Sequence, residues 1–149
     1  MGELPAYPRP EVLPLDADCR GRLEAARAWL LDHYADDAVS RWAPLENKLD
    51  LLATILEEGR VEADETWKLQ AMGIGLGDAL VQALGLEWAT VEDAYGSDPA
   101  LIRPGLSLVV HPPTMISKRI ERGETVDVHV LFARVLDDLE RVIADPRTA

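Results

Sequence analysis

The sequence predicts one α+β domain, with three N-terminal helices, a three-stranded antiparallel meander and two C-terminal helices packed in layers. Three observations predict it. Apolar residues recur at helical spacing over both ends of the chain. Between Gly85 and Pro112 that spacing gives way to short apolar runs separated by turn formers. The length of 149 residues suits one domain, which commonly runs to about 100–150 residues.

Residues 1–15 carry Pro5, Pro8, Pro10 and Pro14, and read as an extended arm, because each proline removes a donor and blocks helix. The domain proper is expected over residues 16–146, with 147–149 as a frayed tail. The first helix starts near Asp16 or Asp18, either able to cap it, and runs to about Tyr34. Its face is Cys19, Leu23, Ala26, Leu30 and Tyr34. The second starts near Pro44 and stops before Gly59, with Leu45, Leu49, Leu52 and Leu56 as its stripe. The third runs from around Asp64 to Leu84 and ends at Gly85. It is apolar on more than one side, with Leu69, Met72, Leu76 and Leu80 on one and Ile74 and Val81 on another. Such a helix is usually the central, buried one.

Strands are expected at Leu86 to Val91, Ala100 to Arg103 and Leu106 to His111, with turns at Tyr95–Pro99 and Pro104-Gly105. Short turns imply an antiparallel meander. Pro112 and Pro113 open a fourth helix that Gly123 ends. Asp127 caps a fifth, whose Val128, Leu131, Phe132, Val135, Leu136, Leu139, Val142 and Ile143 hold the helical period for four turns.

Composition narrows the function. The apolar fraction of 48% and charged fraction of 28% fit a folded protein. The net charge of −12 repels nucleic-acid phosphates and steers basic partners toward the chain. A lone cysteine, Cys19, makes no internal disulfide, in keeping with a reducing compartment. No apolar run approaches the roughly 20 residues of a membrane span, and the N-terminus lacks the basic and apolar regions of a secretion signal. The expectation is a soluble cytoplasmic protein without nucleic-acid or membrane partners, as monomer or homodimer. The excess of arginine over lysine, with abundant Ala, Leu and Asp, suits a GC-rich bacterial genome.

Four segments resemble a known bacterial family: Leu69-Gln70-Ala71-Met72-Gly73-Ile74-Gly75-Leu76-Gly77-Asp78-Ala79-Leu80, Leu84-Gly85-Leu86-Glu87-Trp88, Val91-Glu92-Asp93-Ala94-Tyr95-Gly96, and Pro113-Thr114-Met115-Ile116-Ser117-Lys118-Arg119-Ile120-Glu121-Arg122-Gly123-Glu124. The family is the domain of unknown function 3806. The resemblance implies no assigned activity, cofactor or catalytic residue.

Gly73-Ile74-Gly75-Leu76-Gly77 has the glycines of a phosphate loop without its context. Asp78 stands where a dinucleotide fingerprint needs its last glycine, and a helical pattern precedes it in place of a strand. Three glycines within a helix cost about 2–3 kcal/mol relative to alanine. The ordinary explanation is that Gly73 and Gly77, one turn apart, admit a neighbouring backbone or an aromatic such as Trp88. His33, His111 and His129 lie far apart and form no His-x-x-x-His pair, so neither metal nor cofactor is expected. Cys19 reads as a buried hydrophobe, and none of Ser40, Ser97, Ser107 or Ser117 sits in a nucleophile elbow.

Charge placement says more. Acids cluster through the meander at Asp78, Glu87, Glu92, Asp93 and Asp98, and Lys118, Arg119 and Arg122 follow on the fourth helix. The acids serve as turn formers, and the cations suit a helix C-terminus. A sharper reading makes Trp88, Glu92, Asp93 and Asp98 the binding surface for a basic protein partner, Trp88 being its aromatic anchor. The chain is then a non-catalytic interaction module of adaptor, chaperone-like or immunity-like type. The alternative is a small-ligand or anion-binding protein, or an enzyme, with a site assembled from scattered residues around Lys118, Arg119 and Arg122. A deep pocket favours the alternative; an exposed tryptophan on a flat surface favours the module.

Overall fold

A 19-residue helix, α4 (Thr66–Leu84), runs through the centre of the molecule. The computed structural model describes residues 10–148. Its other elements are β1 (Glu11–Leu13), α1 (Ala17–Leu31), α2 (Ala38–Trp42), α3 (Leu45–Glu57), β2 (Glu87–Asp93), β3 (Gly96–Ile102), β4 (Val109–Val110), α5 (Pro113–Glu121) and α6 (Val128–Ala144). A 3-10 turn at Pro146–Thr148 follows. The class is α+β, as the alternation of periods predicts.

Helix α4 is central because it is apolar on more than one side. Leu69, Met72, Leu76 and Leu80 enter the main core with Leu52, Ile55 and Leu101. Ala71 and Ile74 pack instead with Leu23 and Ala26 of α1. The helix accordingly touches α1, α3, α5 and α6. It ends at Gly85, whose φ of 64° is the left-handed conformation that stops a helix at little cost to glycine. The flanking helices keep most of the faces their spacing predicts, although Val142 of the last helix is exposed. Asp16 caps α1, its carboxylate accepting from the Cys19 amide at 2.8 Å, and Asp127 caps α6 through the Val130 amide at 3.1 Å. Helix α1 stops at Leu31, short of the expected Tyr34.

Helix α2 has no counterpart in the sequence pattern, because five residues are too few to display a period. Tertiary contacts hold it. Trp42 is buried, and the Lys48 ammonium donates to the carbonyls of Trp42 and Ala43, both at 2.8 Å. Burial pulls the pKa of Lys48 down, yet two carbonyls and the Trp42 ring, 5.1 Å from its nitrogen, satisfy the cation.

The meander needs correction from three strands to four, in the order β1-β2-β3-β4. Part of the presumed proline arm is strand β1, antiparallel to β2 with Val12 opposite Val91. Pro10 and Pro14 flank it, and an edge strand tolerates proline there. Residues 1–9 of that arm lie outside the described residues. The second expected strand starts earlier, at Gly96, and contains Pro99 opposite Thr90. Proline fits because β4 pairs only Leu101 and Ile102, which leaves the Pro99 end of β3 an edge. The third expected strand shrinks to Val109–Val110. Trp88, Leu101 and Val110 stand opposite one another across the sheet and all contribute to the core beneath it. Ala89 and Val91, on the other face, are also buried.

Candidate functional site

A cavity of about 390 Å³ opens where four segments meet. Arg22 comes from α1, Gln70 from α4, Asp98 and Pro99 from β3, and His111, Pro113, Thr114 and Lys118 from the start of α5 and the chain before it. The arrangement follows from packing around α4. Gly73 lets α5 approach so closely that a β-carbon there would lie 2.3 Å from the Pro112 carbonyl oxygen. That contact sets the first turn of α5, with Thr114 and Lys118 one turn apart on its cavity side. Arg22 is held against β3 by hydrogen bonds to the Ser97 carbonyl at 3.3 Å and Asp98 Oδ1 at 3.0 Å. The cavity thus presents two cations, an imidazole, an amide, a hydroxyl and one carboxylate over two proline rings. The first turn of α5 adds the positive end of its dipole.

The two candidate surfaces read from the sequence are regrouped. Asp98, from the proposed acidic surface, and Lys118, from the proposed cationic one, line the same cavity. Arg119 faces away. It donates to the Met115 carbonyl at 2.7 Å and lines a separate depression with Glu124, Asp127, Arg134 and Asp138. Arg122 is exposed beyond the end of α5. Glu92 and Asp93 sit at the far end of the hairpin, where Asp93 accepts from the Tyr95 amide at 2.8 Å and shapes the turn. Tyr95, at the tip, is 96% exposed.

Trp88 is not a free anchor. Its indole N–H donates to Asp78 Oδ1 at 2.9 Å, and its ring lies over Gly77. Asp78 also accepts two bonds from Arg27, both at 2.8 Å, and these raise the pKa of the guanidinium. The Arg27–Asp78–Trp88 set therefore ties α1, α4 and β2 together. Cys19 is fully buried, and its burial pushes the thiol pKa up, away from an activated thiolate. His33 is hydrogen-bonded to the Trp29 carbonyl at 2.9 Å and packs edge-on against the Trp29 ring.

Sequence reading missed Arg22, Gln70, His111 and Thr114. Each is unremarkable in its own segment, and only convergence around α4 makes them a set. It also missed His129, placed by the fold beside Glu46 and Asp50, because spacing along the chain does not register a partner from another helix.

Fold and cavity define an α+β protein with a concave, partly cationic site between its central helix, its sheet and α5. The chain belongs to the family described as domain of unknown function (DUF3806), whose model matches residues 48–132, more than half of it. The matched stretch contains Gln70, Asp98, Pro99, His111, Pro113, Thr114 and Lys118, all of the cavity except Arg22. No curated protein matches the chain. A similar solved structure is the 1.50 Å crystal structure of a protein from Bacteroides thetaiotaomicron VPI-5482, with TM-score 0.75 and 15% identity. The similarity covers 92% of this chain and 51% of that one, so the present chain spans about half the length of that protein. At this identity the likeness is one of fold. Among the described residues, no helix is long and apolar enough to cross a membrane.

Proposed function

We propose that the chain is a small-ligand-binding protein whose ligand is an organic anion, a carboxylate or a phosphate ester, carrying a hydrogen-bond donor as well. One observation carries this: Lys118 lines one cavity with His111 and the Arg22–Asp98 ion pair, leaving a cation in surplus there in a chain of net charge −12. A chain so acidic repels anions in general, so a local cationic hollow implies a specific use. Its volume of about 390 Å³ falls among small-molecule sites, which run to about 300–1,000 Å³. Lys118 and the start of α5 attract the anionic group, Gln70 and Thr114 orient it, and Asp98 accepts from the donor. The chemistry supported is binding.

The test is a thermal-shift screen of the full chain against small carboxylates and phosphate monoesters, with neutral analogues of the same size as controls. At least one anion should raise the melting temperature, its neutral analogue should not, and Lys118→Ala should lose the shift. Anions without effect, or a shift that survives both Lys118→Ala and Arg22→Ala, would overturn the reading.

A second reading rests on Tyr95, exposed at the hairpin tip beside Glu92 and Asp93. An aromatic rimmed by acids suits a basic protein partner, with Tyr95 in the role expected of Trp88. Tyr95→Ala combined with Asp93→Asn should then abolish capture of that partner and leave anion binding at the cavity unchanged.

A further inference from the structure

Helix α3 presents Glu46 and Asp50 one turn apart, and α6 brings His129 to the same spot. One ligand atom from each of the three lies within 4.8 Å of the others. His129 Nε2 stands 2.9 Å from Asp50 Oδ1. We propose that Glu46, Asp50 and His129 form a binding site for a first-row divalent metal such as zinc.

The donor set argues for that class. Two carboxylate oxygens and one imidazole nitrogen form a mixed set used for zinc and its neighbours, whereas calcium and magnesium prefer oxygen alone. The spacing argues for it too. Ligands about 2.0–2.2 Å from a tetrahedral zinc lie roughly 3.5 Å from one another, a separation that small side-chain rotations reach from the present positions. The i, i+4 placement of Glu46 and Asp50 aims both carboxylates to one side of α3. The packing of α3 against α6 fixes the third ligand relative to the first two, so the site spans two helices. All three residues are exposed, which lets the ion enter directly and leaves a coordination position for water or a further ligand. Without metal, Asp50 and His129 remain a hydrogen-bonded surface pair.

The site shares no residue with the cavity at Lys118, so the two proposals fail or stand separately. The experiment is titration of the full chain, freed of metal by chelator, with zinc chloride. Calorimetry supplies the affinity, and side-chain resonances of the three histidines supply the location. Expected is one saturable site, with the His129 ring signals moving in step and those of His33 and His111 unmoved. His129→Ala and Asp50→Asn should each weaken binding by about tenfold or more, a scale that loss of even a supporting partner can reach. Glu46→Gln should weaken it as well. Because His129→Ala also removes the bridge between the helices, each variant is melted with and without zinc. Its zinc-induced rise in melting temperature should be smaller than the parent's at the same zinc concentration, whatever its starting stability. Zinc that shifts His33 or His111 in place of His129, binds all three variants like the parent, or gives no saturable site would overturn the proposal.

Discussion

The indole of Trp88 occupies the space in which residue 77 would otherwise carry its side chain. A β-carbon on Gly77 would lie 2.6 Å from Cζ2 and 2.7 Å from Cη2 of that ring. Real β-carbons do not approach a neighbour so closely, so the glycine is a condition for the tryptophan's position. Gly73 and Gly75 stand in the same helix with different neighbours, and this makes the glycines separable by experiment.

For alanine at position 73 the obstacle is backbone, the Pro112 carbonyl oxygen at 2.3 Å; at 77 it is a rigid ring; at 75 the nearest atoms, at 3.0 Å, are the end of Leu30 and the edge of Trp42. Helix propensity returns about 1 kcal/mol for each glycine-to-alanine change, against about 1–3 kcal/mol or more for overpacking. The expected order of destabilisation is Gly73→Ala, then Gly77→Ala, then Gly75→Ala, with Gly77→Leu far worse than Gly77→Ala. Gly21, exposed on the outer face of α1 with nothing within 4 Å of its would-be β-carbon, should behave oppositely. Gly21→Ala should gain about 0.5–1 kcal/mol. Thermal and urea melts decide it, and a Gly77→Leu protein as stable as the parent would refute the packing account.

Asp78 joins Arg27 and Trp88, and its side chain is 12% exposed while that of Arg27 is 36% exposed. Asp78→Ala strands a guanidinium and an indole donor together, so it should cost more than Arg27→Ala or Trp88→Phe. With allowance for solvent screening at Arg27, the coupling of Arg27 and Asp78 in a double-mutant cycle should be about 1–2 kcal/mol. Trp88→Ala, which also empties a partly buried ring site, should cost about 3 kcal/mol, the low end for a large aromatic. A coupling near zero would show that the bidentate pair leaves stability untouched.

Asp16 gives the acid limb of the stability curve a specific component. Its carboxylate accepts from the Cys19 amide, and this bond is the main cause of its lowered pKa. A depressed native pKa means that the stabilisation is fully present above the ordinary aspartate range. It is lost as pH falls through the lowered native value. Asp16→Asn keeps a capping oxygen and removes the titration. Melting the parent and Asp16→Asn across the acid range should show the gap between them changing, with the variant's acid limb the flatter. Parallel curves would remove Asp16 from the acid response.

Lys118 and Arg119 are neighbours in sequence and strangers in space. Lys118 is exposed at the cavity, so Lys118→Ala should change stability by no more than about 0.5 kcal/mol. It should weaken anion binding about tenfold, the value of a lost charged hydrogen bond, and binding by the parent should weaken as salt rises. Arg119→Ala should leave that affinity within about twofold, because the arginine faces α6 and lies outside the cavity. Equal losses from both substitutions, measured by calorimetry with a hit from the anion screen, would contradict the geometry.

What the sequence by itself determined is what local periodicity encodes. The α+β class, the burial of α4 on more than one side, the cap at Asp127, a cap for α1 at either Asp16 or Asp18, and the close neighbours at Gly73 and Gly77 were legible in the spacing of apolar residues, glycines and capping acids. Tertiary structure alone decided the rest. Strand β1 was hidden because Glu11–Leu13 is too short to show alternation, and its partner Thr90–Glu92 lies far along the chain. The cavity was hidden because Arg22, Gln70, Asp98 and His111 carry no shared motif and meet only when α1, β3 and α5 close around α4. Lys118 and Arg119 were grouped by proximity in the chain, and a helix turns consecutive residues about 100° apart. Periodicity reports which face of an element is apolar; which elements face each other, and which polar groups then converge, is set by long-range packing.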